Sequence, residues 1–376
     1  MKNSNFKILK KDSKTRARLG ILNTPHGKVY TPSYVIVATY GNIRHLSPSD
    51  IKKTKTQIVI SNTYHLWNKS KVHKMLGLKL PVMTDSGGFQ VFSLAFGQRN
   101  AKKIFPSNTA ESANLQRKNV KITDKGVHFV IDGQKRFLSP EISMQIQKKL
   151  GADMIFAFDE CTYLFDTFEY NKKAMERTHR WALENLKFKA KSEKRGDKQM
   201  LFGIVQGGKY KNLRVKSAKF IGSLPFDGFG IGGSFGKEEM PQMLKWVIPH
   251  LPEDKPRHLL GVGRIEDIFR AVENGVDLFD CVIPTREARH GRLWTKSGKI
   301  DIRKGRYANG KGVIEKGCKC PVCAKKVPRS EVRQKVRYAL LHNIWFFNNV
   351  VEEIRESIKK GKFTEYKNKF LKKFKI

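Results

Sequence analysis

Short apolar runs recur along the chain, and each closes on a polar or glycine-rich tip. They occupy residues 57–62, 81–85, 154–159, 201–206, 229–233, 258–263 and 278–280. Their hydrophobicity is continuous rather than alternating, as expected of strands covered on both faces in a parallel sheet. Helical patterns lie between them. Ser139-Pro140-Glu141 opens one with a capping serine and a first-turn proline. Another runs from Arg264 to Val272 and is ended by Gly275. Seven such strands separated by helices predict an α/β fold of the (β/α)8 TIM-barrel type, with an open doubly wound sheet as the second choice. In such a barrel the carboxyl ends of the strands carry the chemistry. Asp85, Asp159, Gln206, Gly233 and Asp280 all fall there. Residues 99–126 are polar and irregular and read as an inserted excursion, and no internal repeat is found. Residues 367–376 form a basic amphipathic tail, expected to be a solvated helix.

The last of the strands brings in chemistry. The stretch from Val276 to Arg286 delivers Asp280 and then turns at Pro284 into what reads as a basic loop with Arg286, Arg289, His290 and Arg292. A carboxylate at a strand tip suits a nucleophile or a base, and the arginines beside it suit phosphates. Asp85-Ser86-Gly87-Gly88-Phe89-Gln90 repeats the theme after a second strand. Two carboxylates and a basic rim point to glycosyl chemistry on a nucleic acid: one carboxylate traps the sugar as the base departs, and the other handles the proton of the incoming base. Glycines at 87 and 88 let backbone amides approach a flat heterocycle, and Phe89 offers a face for stacking. Asp159 can accept from the amidine edge of a guanine-like base, Gln206 can donate to its carbonyl, and Gly233 offers room and an amide. Glu160 reads as a structural ion-pair partner and Cys161 as part of the wall.

Composition narrows the class. The 376 residues are 39% hydrophobic, enough for one large α/β domain with an appendage. The formal charge of +40, from 74 Lys+Arg against 34 Asp+Glu, favours a polyanionic partner. No apolar run reaches the roughly 18 residues of a membrane span. The segment from Met1 to Lys7 lacks the apolar centre of a signal peptide, so a cytoplasmic protein is expected. Of the five cysteines, Cys318, Cys320 and Cys323 lie within six residues, and His342 follows in an apparent helix. Three thiolates and one imidazole make a closed tetrahedral zinc site of the structural kind. The expected division is a catalytic barrel over 1–300 and a C-terminal zinc-binding subdomain with a basic helix over 301–376.

Taken in order, these strings resemble the tRNA-guanine transglycosylase (queuine tRNA-ribosyltransferase) family. The resemblance rests on Thr24-Pro25-His26-Gly27, Ser61-Asn62-Thr63-Tyr64-His65-Leu66, the segment from Thr84 to Phe92, and Ala157-Phe158-Asp159-Glu160-Cys161. It rests equally on Ile204-Val205-Gln206-Gly207-Gly208, Gly261-Val262-Gly263, the segment from Phe279 to Arg286, and the cysteine knuckle with His342-Asn343. It implies a zinc-bearing barrel that exchanges the wobble guanine of GUN-anticodon tRNAs for a 7-deazaguanine. Asp280 would attack the ribose and Asp85 would accept the proton. Ser86, Gly87, Gly88, Phe89, Asp159, Gln206 and Gly233 would hold the base. Gly261, Val262, Gly263, Arg264, Ile265, Glu266 and Asp267, with Thr285, Arg286, Glu287, Ala288 and Arg289, would contact the anticodon loop. One structural Zn2+ per subunit and a homodimer are implied. The loop from Gly232 to Glu239 is shorter than the usual bacterial form, which leaves 7-aminomethyl-7-deazaguanine and queuine both open. A non-catalytic tRNA-binding subunit of the same fold is the alternative, and the presence of both Asp85 and Asp280 argues against it.

Overall fold

The computed structural model describes residues 5–90, 120–131, 133–233 and 238–375. Among these, eight strands close a barrel in the order β10 (Met154–Phe156), β11 (Met200–Val205), β12 (Gly228–Ile231), β13 (Arg257–Leu259), β14 (Leu278–Cys281), β4 (Ser33–Val37), β5 (Val59–Ser61) and β6 (Val82–Thr84). Adjacent strands run parallel, with Met154 opposite Met200 and Met83, Gly203 opposite Phe229, and Asp280 opposite Val35. The (β/α)8 expectation therefore holds. One strand absent from the sequence reading is β4, although its Tyr34-Val35-Ile36-Val37 run carries the expected β-branched signal.

The chain divides into two compact units. The first comprises Ser61–Val72 and Val82–His258, the second Asn5–Ile60, His73–Pro81 and Leu259–Ile376.

In the first unit, α3 (Pro140–Leu150) starts as the sequence predicts: the Ser139 hydroxyl accepts from the Ile142 amide at 3.2 Å, and Pro140 occupies the first turn. Its Gln147 is fully buried and, besides donating to the Ser143 hydroxyl at 3.2 Å, serves three groups of the barrel strands. The amide nitrogen donates to the Phe156 carbonyl (2.9 Å), and the oxygen accepts from the Phe156 amide (3.1 Å) and the Thr84 hydroxyl (3.0 Å). One side chain thus satisfies strand-end groups that would each cost about 1–3 kcal/mol if buried unpaired. The helix α4 (Phe168–Glu193) packs Trp181 into the core. Residues 91–119, most of the expected excursion, lie outside the described residues. Its last part is not irregular: β7 (Val120–Thr123), β8 (Gly126–Ile131) and β9 (Gln134–Leu138) form an antiparallel sheet. The β7–β8 turn is held to α4, since Asp124 accepts from Arg177 (3.2 Å) and Arg180 (2.6 Å), and its carbonyl accepts from the Trp181 indole (2.7 Å).

In the second unit, β1 (Phe6–Lys11), β2 (Arg18–Thr24) and β3 (Gly27–Thr31) form an antiparallel sheet. Arg18 and Asp277 make a buried two-pronged ion pair at 2.9 and 2.6 Å. The longest helix there, α10 (Val336–Lys359), buries residues on nearly all sides, among them Phe346 and Phe347. The basic tail departs from expectation. Its α11 (Phe363–Lys373) is docked rather than solvated: Phe370 meets Phe269 at 5.3 Å, Phe374 stacks on Trp294 at 5.9 Å, and Lys375 bridges to Gly298. The apolar stripe of the amphipathic pattern decided the outcome: Lys369, Lys372 and Lys373 remain exposed, while Lys367 is half-buried and pairs with Glu273 at 2.5 Å.

Candidate active site

Asp85 follows β6 directly and is held by the loop after β5. It accepts from the Asn62 side-chain amide (2.8 Å), the Thr63 backbone amide (3.0 Å) and the Gly87 amide (3.1 Å), and the Thr63 hydroxyl donates to its carbonyl. The sequence pattern assigns Asn62 and Thr63 no separate chemical role. The structure gives them a physical task, which is to fix the direction of this carboxylate.

Beside it in the first unit lies a buried polar cluster. Asp159, just past β10, accepts from the Ser86 hydroxyl at Oδ1 (3.0 Å) and from the Gln206 amide at Oδ2 (2.6 Å). Burial raises the Asp159 carboxyl to about 6, the two donated hydrogen bonds offsetting part of that cost. Glycines frame the cluster because side chains would not fit. A Cβ on Gly88 would lie 2.7 Å from the Asp159 carbonyl, and one on Gly233 would lie 2.5 Å from Gln206 Oε1. Gly87 and Gly233 also take positive φ, 82° and 88°. Phe89 is exposed. Glu160 pairs with Arg177 and accepts from the Tyr170 hydroxyl, and Cys161 is buried, both as the sequence suggested. The cluster presents acceptor, donor and hydroxyl groups around a glycine-lined edge, a set suited to a planar heterocycle with amide and amidine functions. Residues 234–237 of the loop after Gly233 lie outside the described residues.

In the second unit, Asp280 sits on β14 and accepts from the Gly261 amide at 3.3 Å. The hydroxyl of buried Tyr34 donates to the neighbouring Cys281 carbonyl at 3.1 Å. Gly263 is required here by packing: a Cβ would come within 2.4 Å of both Cys281 Cβ and the Tyr34 hydroxyl. The expected basic loop is a helix, α8 (Ile283–Arg289), with Pro284 in its first turn. That proline is tolerated where the helix has no bond for its missing N–H, so the turn at 284 starts the helix. Thr285 and Ala288 face inward, while Arg286 and Arg289 are exposed and Glu287 pairs with Arg292 at 3.3 Å. In the preceding segment Gly261 and Arg264 are exposed, Val262 and Glu266 are half-buried, and Ile265 and Asp267 are buried as part of α7 (Ile265–Glu273). Partial burial, with Arg44 and Arg286 nearby, lowers the Arg289 guanidinium. Arg44 thus joins the basic cluster, and no motif spacing announced it.

The four predicted metal ligands converge. The sulfurs of Cys318, Cys320 and Cys323 and a ring nitrogen of His342 all lie within 4.8 Å of one another. His342 Nδ1 is 3.3 Å from Cys320 Sγ and 3.7 Å from Cys323 Sγ, while Nε2 lies 2.8 Å from the Trp294 carbonyl. That carbonyl accepts the Nε2 proton and leaves Nδ1 free to bind metal, the usual outer support of a ligating imidazole. Three soft sulfurs and one nitrogen fit zinc.

Comparison with known proteins agrees with this geometry. A family model described as queuine tRNA-ribosyltransferase matches residues 12–376. The queuine tRNA-ribosyltransferase of Clostridium perfringens is 40% identical, with 100% of this chain and 99% of that protein aligned. The enzyme of the same name from Caldanaerobacter subterraneus is 39% identical over 98% of this chain and 97% of its own. A putative queuine tRNA-ribosyltransferase of Archaeoglobus fulgidus is 40% identical over 95% and 96%.

Proposed function

This chain belongs to the queuine tRNA-ribosyltransferase family, and on that premise we propose that it is a tRNA-guanine transglycosylase, a pentosyltransferase of queuosine biosynthesis. It exchanges the wobble guanine of GUN-anticodon tRNAs for a 7-deazaguanine, either the 7-aminomethyl form or queuine. Asp280 attacks C1′ of the wobble ribose, the bond to N9 of guanine breaks, and guanine leaves with the electron pair. The ribosyl ester on Asp280 is then displaced by the incoming base, whose ring proton passes to Asp85. Ser86, Gly87, Gly88, Phe89, Asp159, Gln206 and Gly233 hold the base, which must leave its stack to be reached. The segments 261–267 and 285–289 hold the anticodon loop, with the exposed arginines 264, 286 and 289 on its phosphates. A structural Zn2+ sits in the Cys318, Cys320, Cys323 and His342 cluster, and supplies folding energy rather than a reactive position. The catalytic part spans 1–300 and the zinc-bearing part 301–376. The protein acts as a homodimer in the cytoplasm; among the described residues no helix is long and apolar enough to cross a membrane.

The observation that carries this reading is the buried Asp159–Gln206–Ser86 cluster framed by Gly88 and Gly233. The decisive experiment loads tRNA with labelled guanine and offers the 7-aminomethyl base and queuine in parallel. Release of label with one of them identifies the incoming base, and no release with either removes the assignment.

The state of Asp159 sets a pH dependence. The ionised carboxylate accepts from both nitrogens of the guanine amidine edge, and protonation removes an acceptor. With the carboxyl raised to about 6, the Michaelis constant for guanine should rise as pH falls through about 6, by at most tenfold per pH unit. In the free protein the linkage has the opposite sense. The proton held in the folded state stabilises it below the unfolded carboxyl value, and this contribution is lost as pH rises through about 6. Base titrations between pH 5 and 8 that show a flat Michaelis constant would take Asp159 out of base recognition.

A further inference from the structure

The base-holding edges of β11 and β12 share a support that no catalytic or binding role accounts for. It comes from one face of α5 (Lys211–Gly222), where Arg214 and Ser217 are three residues apart and both fully buried. Residues at that spacing on a helix lie on the same side, one above the other. Arg214 Nε donates to the Gly208 carbonyl at 2.7 Å, and Nη1 donates to the Val205 carbonyl at 3.2 Å and to the Gly232 carbonyl at 2.6 Å. Ser217 Oγ accepts from the Gln206 backbone amide at 3.1 Å and lies 3.2 Å from His179 Nε2. Burial pushes His179 down to about 4, so its ring is neutral at pH 7. The backbone is therefore gripped immediately before Gln206, at Gln206, two residues after it, and at the residue preceding Gly233.

A guanidinium is a costly group to place there. Burial lowers Arg214 to about 10, which still leaves it charged at neutral pH. Its planar fork gives several donors in fixed directions, which a lysine cannot reproduce. Hydrogen bonds from a charged donor to carbonyls are also the stronger kind. The approach is close at both tips. A Cβ on Gly207 would lie 2.7 Å from the Arg214 backbone nitrogen, and one on Gly233 would lie 2.9 Å from Arg214 Nη2.

We propose that Arg214 and Ser217 are positioning residues for base recognition, fixing the Gln206 side chain and the Gly232–Gly233 backbone in the arrangement that a purine-like base requires. The proposal rests on the assignment of Gln206 and Gly233 to base binding. Neither residue touches the base. They act by setting the tips of two adjacent strands relative to each other, and a misplacement of a few tenths of an ångström at such groups weakens recognition without altering the reacting carboxylates.

The test is steady-state guanine exchange into tRNA by full-length Ser217→Ala, Arg214→Lys and, as a control, Ile221→Ala. Ile221 is a buried apolar residue on the same helix and serves as a purely structural lesion. Ser217→Ala and Arg214→Lys should raise the Michaelis constant for guanine about 5- to 20-fold, the effect of losing one or two backbone hydrogen bonds. The tRNA Michaelis constant and kcat should stay within about threefold. Ile221→Ala should lower the melting temperature and leave the guanine constant unchanged. An unchanged guanine constant in folded Ser217→Ala overturns the proposal. So does a guanine constant raised equally by Ile221→Ala, because any loosening of the helix would then suffice. If Arg214→Lys does not fold, Ser217→Ala decides. Failure of the unsubstituted protein to exchange guanine at all would instead strike the functional assignment, so the two failures are distinguishable.

Discussion

Asp280→Asn should lower guanine exchange by on the order of 10⁴-fold, the scale seen when the nucleophile of a covalent mechanism is removed. Asparagine keeps the shape of the side chain and an oxygen to accept from the Gly261 amide, whose contact with Asp280 is 3.3 Å. The packing of Tyr34 and Gly263 around Cys281 is untouched by the change. The protein should therefore fold normally, and its melting temperature should stay within a few degrees. Affinity for tRNA should change less than about threefold, since charge contacts to phosphates dominate it and Asp280 supplies none. The covalent step gives a second readout. Unsubstituted enzyme quenched with denaturant during turnover should carry tRNA as a shifted band on a denaturing gel, and the variant should not. Exchange above about 1% of the normal rate in the variant would mean that another group attacks the ribose.

Loss of the metal should be the largest effect on stability. The donor cluster is built into an apolar core that includes Leu293, Ile302, Ile314, Val322, Val332, Leu340 and Leu341. The knuckle itself has little regular structure, so a zinc ion held by the four donors would fix the loop to α10 through His342. Structural zinc contributes on the order of 10 kcal/mol to small metal-bound folds, and a surrounding core of this size would take over part of that. Cys323→Ser, or prolonged chelation, should lower the melting temperature by more than about 10 °C. Elemental analysis should find one zinc per chain before the treatment and far less after it. A chelated protein that is metal-free and yet melts unchanged would show that the core alone holds this region.

Much of this architecture was legible because it depends on local patterns. Continuous apolar runs ending at Asp85, Asp159, Gln206 and Asp280 mark strands covered on both faces, and they are β6, β10, β11 and β14. Ser139 and Pro140 start α3 by their intrinsic preferences. Cysteines at 318, 320 and 323 have a spacing that needs no tertiary knowledge. What escaped the sequence had mostly non-local causes. Arg214 and Ser217 look like ordinary helix-surface residues in Asn212-Leu213-Arg214-Val215-Lys216-Ser217, and only the placement of α5 against two strand tips buries them. Arg44 is about 240 residues from Arg286 and Arg289 in sequence, so no spacing rule joins them. Two differences have local causes. The basic loop after Asp280 is a helix, and Pro284 in its first turn was the available signal. Strand β4 gives a weaker signal because its run ends at Ala38-Thr39 rather than at a charged or glycine tip.

Trp294 links two features that are remote in sequence. Its carbonyl receives His342 Nε2, and its indole lies nearly parallel to Phe374, at 8°. The same residue thus touches His342 of the candidate metal cluster through its backbone and the docked tail through its ring. A chromophore in that position should make its share of the intrinsic emission, one of five tryptophans, respond to whether the thiolate centre is filled and whether the tail is seated, without any label being attached.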